Sequence, residues 1–168
     1  MGRPKAEVVF EGRTLVERAV GVADAAGCAP VYVVVRAGAD VPQPAIAVAN
    51  PDPDRGLRSS LAVAVDAAAG VDALAVLLVD MPGMSPAAVR AACAAWSPGR
   101  IAVARFGTGR GHPIVMAPHL WSRALDLAGP DEGARQFLAA HPELVDEVPV
   151  DGDPFDLDTP EDLARRNP

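Results

Sequence analysis

A chain of 168 residues has the size of one ordinary domain, and with half of its residues hydrophobic it can bury a sizeable core. Fifteen Lys and Arg against twenty-two Asp and Glu leave a formal net charge of -7, and no basic cluster is longer than Arg165-Arg166, which argues against a general nucleic-acid surface. No apolar stretch approaches the ~18 residues of a membrane span and there is no charged-then-apolar leader, so the expectation is a cytoplasmic protein without membrane contact, with Cys28 and Cys93 as buried, unpaired thiols.

Along the chain, short extended pieces alternate with helical periods. Val8 to Phe10 reads as extended and Gly12 as a turn; Thr14 to Ala26 carries Leu15, Ala19, Val22 and Ala26 at helical spacing, with Glu17 completing a capping box. Gly27 ends that helix. Val31 to Val35 reads as a buried strand and Ile46 to Val48 as a shorter one, followed by an acidic, Pro-rich loop from Asn50 to Arg55. Leu57 to Ala69 is helical, and the apolar run Leu74 to Val79 reads as a strand buried on both faces. Ser85 and Pro86 open a helix to about Trp96. Ile101 to Ala104, Ile114 to Met116 and Leu144 to Val150 supply further strands, and helices are expected from Pro118 to Ala128, from Glu132 to Ala140 and from Pro160 onward. The alternation predicts an α/β fold, a three-layer α/β/α domain on a mostly parallel, Rossmann-like sheet, covering 1–168 as a single unit.

Two acidic stops carry the chemistry. Asp80 closes the Leu74–Val79 run, at the strand end where open α/β sheets bind ligands. Asp156 and Asp158, two residues apart in an extended stretch, present both carboxylates on one side with Leu157 on the other. Carboxylates gathered there would repel unless a hard cation lay between them, and one or two carboxylates with phosphate oxygens suit Mg²⁺. The competing reading is capping: Asp80 for the helix after Pro82, and Asp158 with Glu161 for the helix at Pro160. Gly56 with Arg58, Ser59 and Ser60 offers N–H groups, hydroxyls and a guanidinium to an anion at a helix start, or is a plain Ser-rich opening. The stretch from Gly107 to Pro113 reads as a lid or acceptor-binding loop, or as a hairpin-like surface turn. His112 within it is a structural or acceptor contact rather than a general base, His119 and His141 face solvent, and the seven aromatic residues are too scattered to stack bases.

Met1-Gly-Arg-Pro-Lys5, Glu11 to Leu15, Asn50 with Gly56 to Leu61, Asp80-Met-Pro82, Gly111-His-Pro113, Asp131 to Arg135 and Asp156 to Asp162 occur in the order found in the MobA-like nucleotidyltransferases, which this chain resembles over essentially its whole length. The resemblance implies Mg²⁺-dependent transfer of a nucleotidyl group (CMP or GMP) from an NTP to a small phosphorylated acceptor, with molybdopterin as acceptor, CTP favoured over GTP, and pyrophosphate released. It implies Asp80 and Asp158 as metal ligands, Lys5 and Arg3 as triphosphate cations, and Asn50, Gly56, Ser60 and His112 as nucleotide or acceptor contacts, in a monomer or weak homodimer. Other implied outcomes are a different small phosphorylated acceptor, such as a phosphoenolpyruvate-like or sugar phosphate, or a nucleotide-binding homologue without catalysis. Family members open with a strand and a Leu-Ala-Ala-Gly loop, whereas this sequence starts inside the motif that follows. The expectation is therefore an N-terminally truncated form, with the missing strand encoded in frame just ahead of Met1.

Overall fold

The computed structural model describes residues 4–166, so Arg3 lies outside the described residues. A hairpin of β1 (Val9–Phe10) and β2 (Arg13–Thr14) leads into α1 (Leu15–Ala25). The helix begins there because Thr14 and Glu17 form the expected capping box, the Thr14 hydroxyl accepting from the Glu17 N–H and the Glu17 carboxylate accepting from the Thr14 N–H. Such a cap contributes about 1 kcal/mol. β3 (Tyr32–Val35) pairs in parallel with β4 (Ile46–Ala49), after which α2 (Leu57–Ala67) runs back.

The larger sheet holds four strands in the order β5 (Leu74–Val76), β7 (Gly109–Met116), β6 (Ile101–Phe106), β8 (Val145–Pro149). Here the expectation of a mostly parallel sheet is corrected. β7 is antiparallel to both β5 and β6, and only the β6–β8 pair is parallel, so the sheet is mixed. The cause is local: two residues join Phe106 to Gly109, and a tight turn can only reverse the chain, since a parallel return needs a crossover of about a dozen residues or more. The stretch expected to be a lid is thus a hairpin.

Alternation along β6 shows how the layers form. Ile101 and Val103 belong to a core shared with Leu61 and Val65 of α2, with Leu120, Trp121, Ala124 and Leu125 of α4 (Pro118–Leu127), and with Phe137 and Leu138 of α5 (Arg135–Ala140). Ala102 packs instead with Ala92 and Ala104 with Ala88 and Val89, all on α3 (Pro86–Ala95). Successive strand residues point to opposite faces, so helices cover the sheet on both sides. Trp121, 1% exposed, anchors the first face, and its Nε1–H donates to the Leu74 carbonyl at 3.0 Å.

Two further expectations change. The Leu74–Val79 strand stops at Val76, because the next position of the antiparallel register falls on Pro113, which has no N–H to donate. Val33, Val34 and Val35 are half-buried rather than buried on both faces. Among the described residues β3 has ladder bonds only to β4 and β5 only to β7, so each of these strands keeps one edge without a ladder partner.

Candidate active site

Lys5, Asp80 and Asp158 come from three distant parts of the chain, and a single small apolar cluster gathers them. Val8, Phe10, Leu15 and Leu157 are its buried members, and Val79, Phe155 and Leu163 pack against it. Lys5 precedes Val8 by less than one helical turn, Asp80 follows Val79, and Asp158 follows Leu157, so burying the hydrophobes fixes the polar residues at the rim. The Leu157 N–H donates to the Asp80 carbonyl at 2.8 Å and pins the C-terminal segment to the loop that follows β5. Gly83 permits that approach: a Cβ there would lie 2.3 Å from the Asp153 carbonyl oxygen, so no other residue fits without moving the segment. Nothing in the sequence alone singled Gly83 out. α6 (Pro160–Arg166) clamps the outer side, with the Arg166 guanidinium 2.5 Å from Asp153 and 3.9 Å over the Phe155 ring.

The helix caps decide between the readings of the two acids. Ser85 caps α3, its hydroxyl accepting from the Ala88 N–H at 3.1 Å, and Thr159 caps α6 in a box with Asp162. Neither Asp80 nor Asp158 serves as a cap, which corrects the Asp158–Glu161 reading. Both carboxylates instead meet one ammonium: Lys5 Nζ donates to Asp80 Oδ2 at 2.9 Å and to Asp158 Oδ1 at 2.5 Å. Burial pulls the Lys5 pKa down, but its hydrogen bonds to Asp158 and Asp80 and their charges outweigh that and hold it above the ordinary lysine value. Asp156 stands close enough to share the field; partial burial raises its pKa first, then the charges of Asp80 and Asp158, against the pull of Lys5.

The site therefore has two carboxylates and one cation, the cation sitting where charge balance demands it. Asp80 Oδ1 is buried and has no hydrogen-bond partner among the described residues. A buried carboxylate oxygen without a donor costs free energy unless something electropositive completes it. Asp80 and Asp158 thus fit a hard divalent cation that takes its remaining ligands from water and phosphate oxygens, the way Mg²⁺ is commonly held. Among the described residues no group of three or more His, Cys, Asp or Glu side chains forms a complete protein cage.

His112 reaches the same neighbourhood through a bulge. Between the β6–β7 pairs Val103↔Ile114 and Arg105↔Arg110, one residue of β6 faces three of β7, Gly111, His112 and Pro113. Such bulges re-aim side chains beside active sites. Burial pushes the His112 imidazole down to about 4, although the Asp80 carboxylate pulls the other way, so the ring is neutral at pH 7. An unfolded-state histidine titrates near 6.5, so between those values the unfolded chain binds the extra proton and stability falls as pH falls. The loss over the window reaches at most about 3 kcal/mol. Urea midpoints measured from pH 7 to pH 4.5 should drop more steeply for the natural protein than for His112→Gln; equal slopes would contradict the assignment.

The remaining predicted contacts lie in another region. Asn50, only 3% exposed, donates through Nδ2 to the hydroxyls of Ser59 and Ser60 at 2.9 and 3.1 Å and accepts from the Asp52 N–H through Oδ1. Arg58 donates to the Leu125 carbonyl, and its own N–H to that of Pro130. Gly56, at φ +83°, lies so close to the Pro130 backbone and the Asp131 side chain that a Cβ would come 2.5 Å from the Pro130 oxygen. These groups hold one another and the α2 start in place beside an open cavity of about 610 Å³ lined by Asn50, Asp52, Arg58 and Ser59. Hydrogen bonding does not join them to the Lys5 cluster.

Comparison with known proteins matches the chain to a family. The family model described as the MobA-like NTP transferase domain matches residues 1–145. Nicotine blue oxidoreductase of Paenarthrobacter nicotinovorans is 34% identical over 181 residues, covering 98% of this chain and 89% of that protein. Among solved structures, Rv0371c from Mycobacterium tuberculosis H37Rv superposes with a TM-score of 0.78 at 24% identity, over 98% of this chain and 89% of that one, and its manganese complex with 0.73 at 24% identity, over 99% and 92%. The 2-C-methyl-D-erythritol 4-phosphate cytidylyltransferase of Thermus thermophilus follows at 0.74 and 22% identity, over 98% and 92%. The mixed α/β fold is that of these structures, and the chain belongs to the MobA-like NTP transferase family, which makes it a nucleotidyltransferase-type enzyme.

Proposed function

We propose that the protein transfers a nucleotidyl group from an NTP to a small phosphorylated acceptor, with molybdopterin the preferred acceptor and CTP the preferred donor. The observation that carries the reading is the Lys5 ammonium shared by Asp80 and Asp158 beside an orphaned Asp80 oxygen. Asp80 and Asp158 would hold Mg²⁺, which supplies charge neutralisation to the bound phosphates. The acceptor phosphate, already ionised at neutral pH, needs no base to attack the α-phosphorus, so positioning and charge stabilisation carry the reaction. Lys5 lies at hydrogen-bonding distance from both carboxylates and, released from them, reaches the triphosphate as its counter-charge. Neutral His112 serves as a hydrogen-bonding wall for the acceptor rather than as a proton acceptor. The solved manganese complex of Rv0371c supports a divalent ion in this fold, and the cytidylyltransferase supports a CTP donor.

A second reading rests on one observation, that a relative 34% identical to the chain is named as a nicotine blue oxidoreductase rather than for nucleotidyl transfer. In that reading the same cavity binds the phosphates of a dinucleotide hydride donor, and an electron-poor aromatic takes the acceptor position. One experiment separates the two. The protein is incubated with each NTP, MgCl₂ and a panel of phosphorylated acceptors, molybdopterin included, while pyrophosphate is assayed. In parallel, reduced nicotinamide dinucleotides are monitored at their near-ultraviolet absorbance with quinoid dyes. Metal-dependent pyrophosphate release with CTP and molybdopterin is the expected result; dye-dependent nicotinamide oxidation without pyrophosphate would replace it.

A further inference from the structure

Cys28 and Cys93, far apart in sequence and read from it as unrelated buried thiols, meet in the fold. Cys28 follows Gly27, whose φ of +86° turns the chain back at the end of α1, and its N–H donates to the Ala23 carbonyl at 3.0 Å. Cys93 sits in the last turn of α3, which docks against α1 with Arg90 Nη1 donating to the Ala25 carbonyl at 2.7 Å. Both side chains are half-buried and pack against the same apolar cluster, formed around Met84, Val89 and Phe106. The two side chains stand close enough that their interaction lowers Cys28 to about 7 while it and burial push Cys93 up, so Cys28 is the more acidic thiol of the pair. Among the described residues no third His, Cys, Asp or Glu completes a metal site with them, which leaves thiol chemistry.

We propose that Cys28 and Cys93 form a reversible intramolecular disulfide, a redox-responsive tie between α1 and α3. Cys28 is the attacking sulfur and Cys93 the resolving one. With a hydroperoxide as oxidant, the Cys28 thiolate attacks the peroxide oxygen, the O–O bond breaks, and a sulfenic acid and the alcohol or water form. The Cys93 sulfur then attacks that sulfenic sulfur, losing its proton, and water leaves as the S–S bond forms. Both thiols are oxidised by two electrons in total, the peroxide is reduced, and a small dithiol reverses the change by exchange. Partial exposure admits a peroxide, whereas a fully buried pair would exclude it.

The tie has a place to act. α3 starts where the Asp80 loop ends, and α1 starts from the segment that follows Lys5. The bond would close their far ends together and restrict the unfolded chain over the whole intervening stretch.

The test uses the natural protein treated with hydrogen peroxide, followed by free-thiol counting, intact mass and peptide mapping. The expected result is paired loss of both thiols, a mass lower by two hydrogen atoms, a Cys28–Cys93 cross-linked peptide, a higher urea midpoint, and full reversal by dithiothreitol. In Cys93→Ser the resolving thiol is gone, and a dimedone adduct should accumulate on Cys28. Independent oxidation of the two cysteines, cross-links only between chains, or thiols that react only once urea has unfolded the protein would each overturn the proposal.

Discussion

Asp80→Ala is expected to abolish nucleotidyl transfer, by about three orders of magnitude or more in kcat/KM, and to leave the metal-free fold almost unchanged. The two halves of the expectation rest on different atoms. Oδ2 accepts from Lys5 in a pair that is 37% and 20% exposed, and ion pairs this wet are worth about 1 kcal/mol or less. Oδ1 is buried without a donor, so removing it relieves a cost of similar size. The two changes offset, and the urea midpoint should shift little, while manganese binding followed by electron paramagnetic resonance should disappear. Lys5→Met makes the complementary experiment. Its ammonium and a divalent cation compete for the same two carboxylates, so the variant should bind manganese more tightly in the absence of nucleotide and NTP more weakly in its presence. Wild-type turnover in Asp80→Ala would remove the metal assignment. Unchanged manganese affinity in Lys5→Met would show instead that the lysine stands beside the cation position and not in it.

What the sequence made legible followed from local chemistry. The Thr14–Glu17 box and the Ser85–Pro86 start each depend on a few neighbouring residues, and each appears where the pattern put it, whereas the strand expected to run up to Asp80 ends at Val76. Grouping Lys5 with Asp80 and Asp158 needed the resemblance, yet its physical cause is also written in the chain, since each polar residue lies next to an apolar anchor of one cluster. The errors concern long-range partners. Whether Leu77 to Val79 continue a strand depends on what lies opposite, and Pro113 lies opposite. The mixed sheet turned on reading Gly107 and Thr108 as a two-residue reversal instead of part of a loop. That Asn50 would bind Ser59 and Ser60 to itself, and that Cys28 would find Cys93, are tertiary facts with no local signature.

A version of the protein extended ahead of Met1 by one apolar strand and a short Gly-rich loop is expected to be markedly more stable to urea than the 168-residue chain. The reason is the open strand edges. Among the described residues β3 pairs only with β4 and β5 only with β7, so each keeps one edge whose backbone donors and acceptors have no ladder partners. The valines of β3 are half-buried although their composition suits a strand covered on both faces. Each ladder bond adds about 1 kcal/mol net and each buried valine or leucine about 2 kcal/mol, against about 1–2 kcal/mol per residue ordered, so one apolar strand on an open edge adds a sizeable share of a marginal domain's reserve. The connection is also right: Lys5 stands against Asp80, beyond the C-terminal end of β5, where a strand added along the free edge of β5 and parallel to it would deliver the chain. The loop following such a strand would bring its N–H groups to the same end, as an anion nest facing Lys5. The extension should raise the urea midpoint and strengthen MgNTP binding together, with Val33 and Leu78 amides gaining protection in hydrogen exchange. If the midpoint and these amides stay as they are, the two edges are closed by some other means and the strand has no slot to enter.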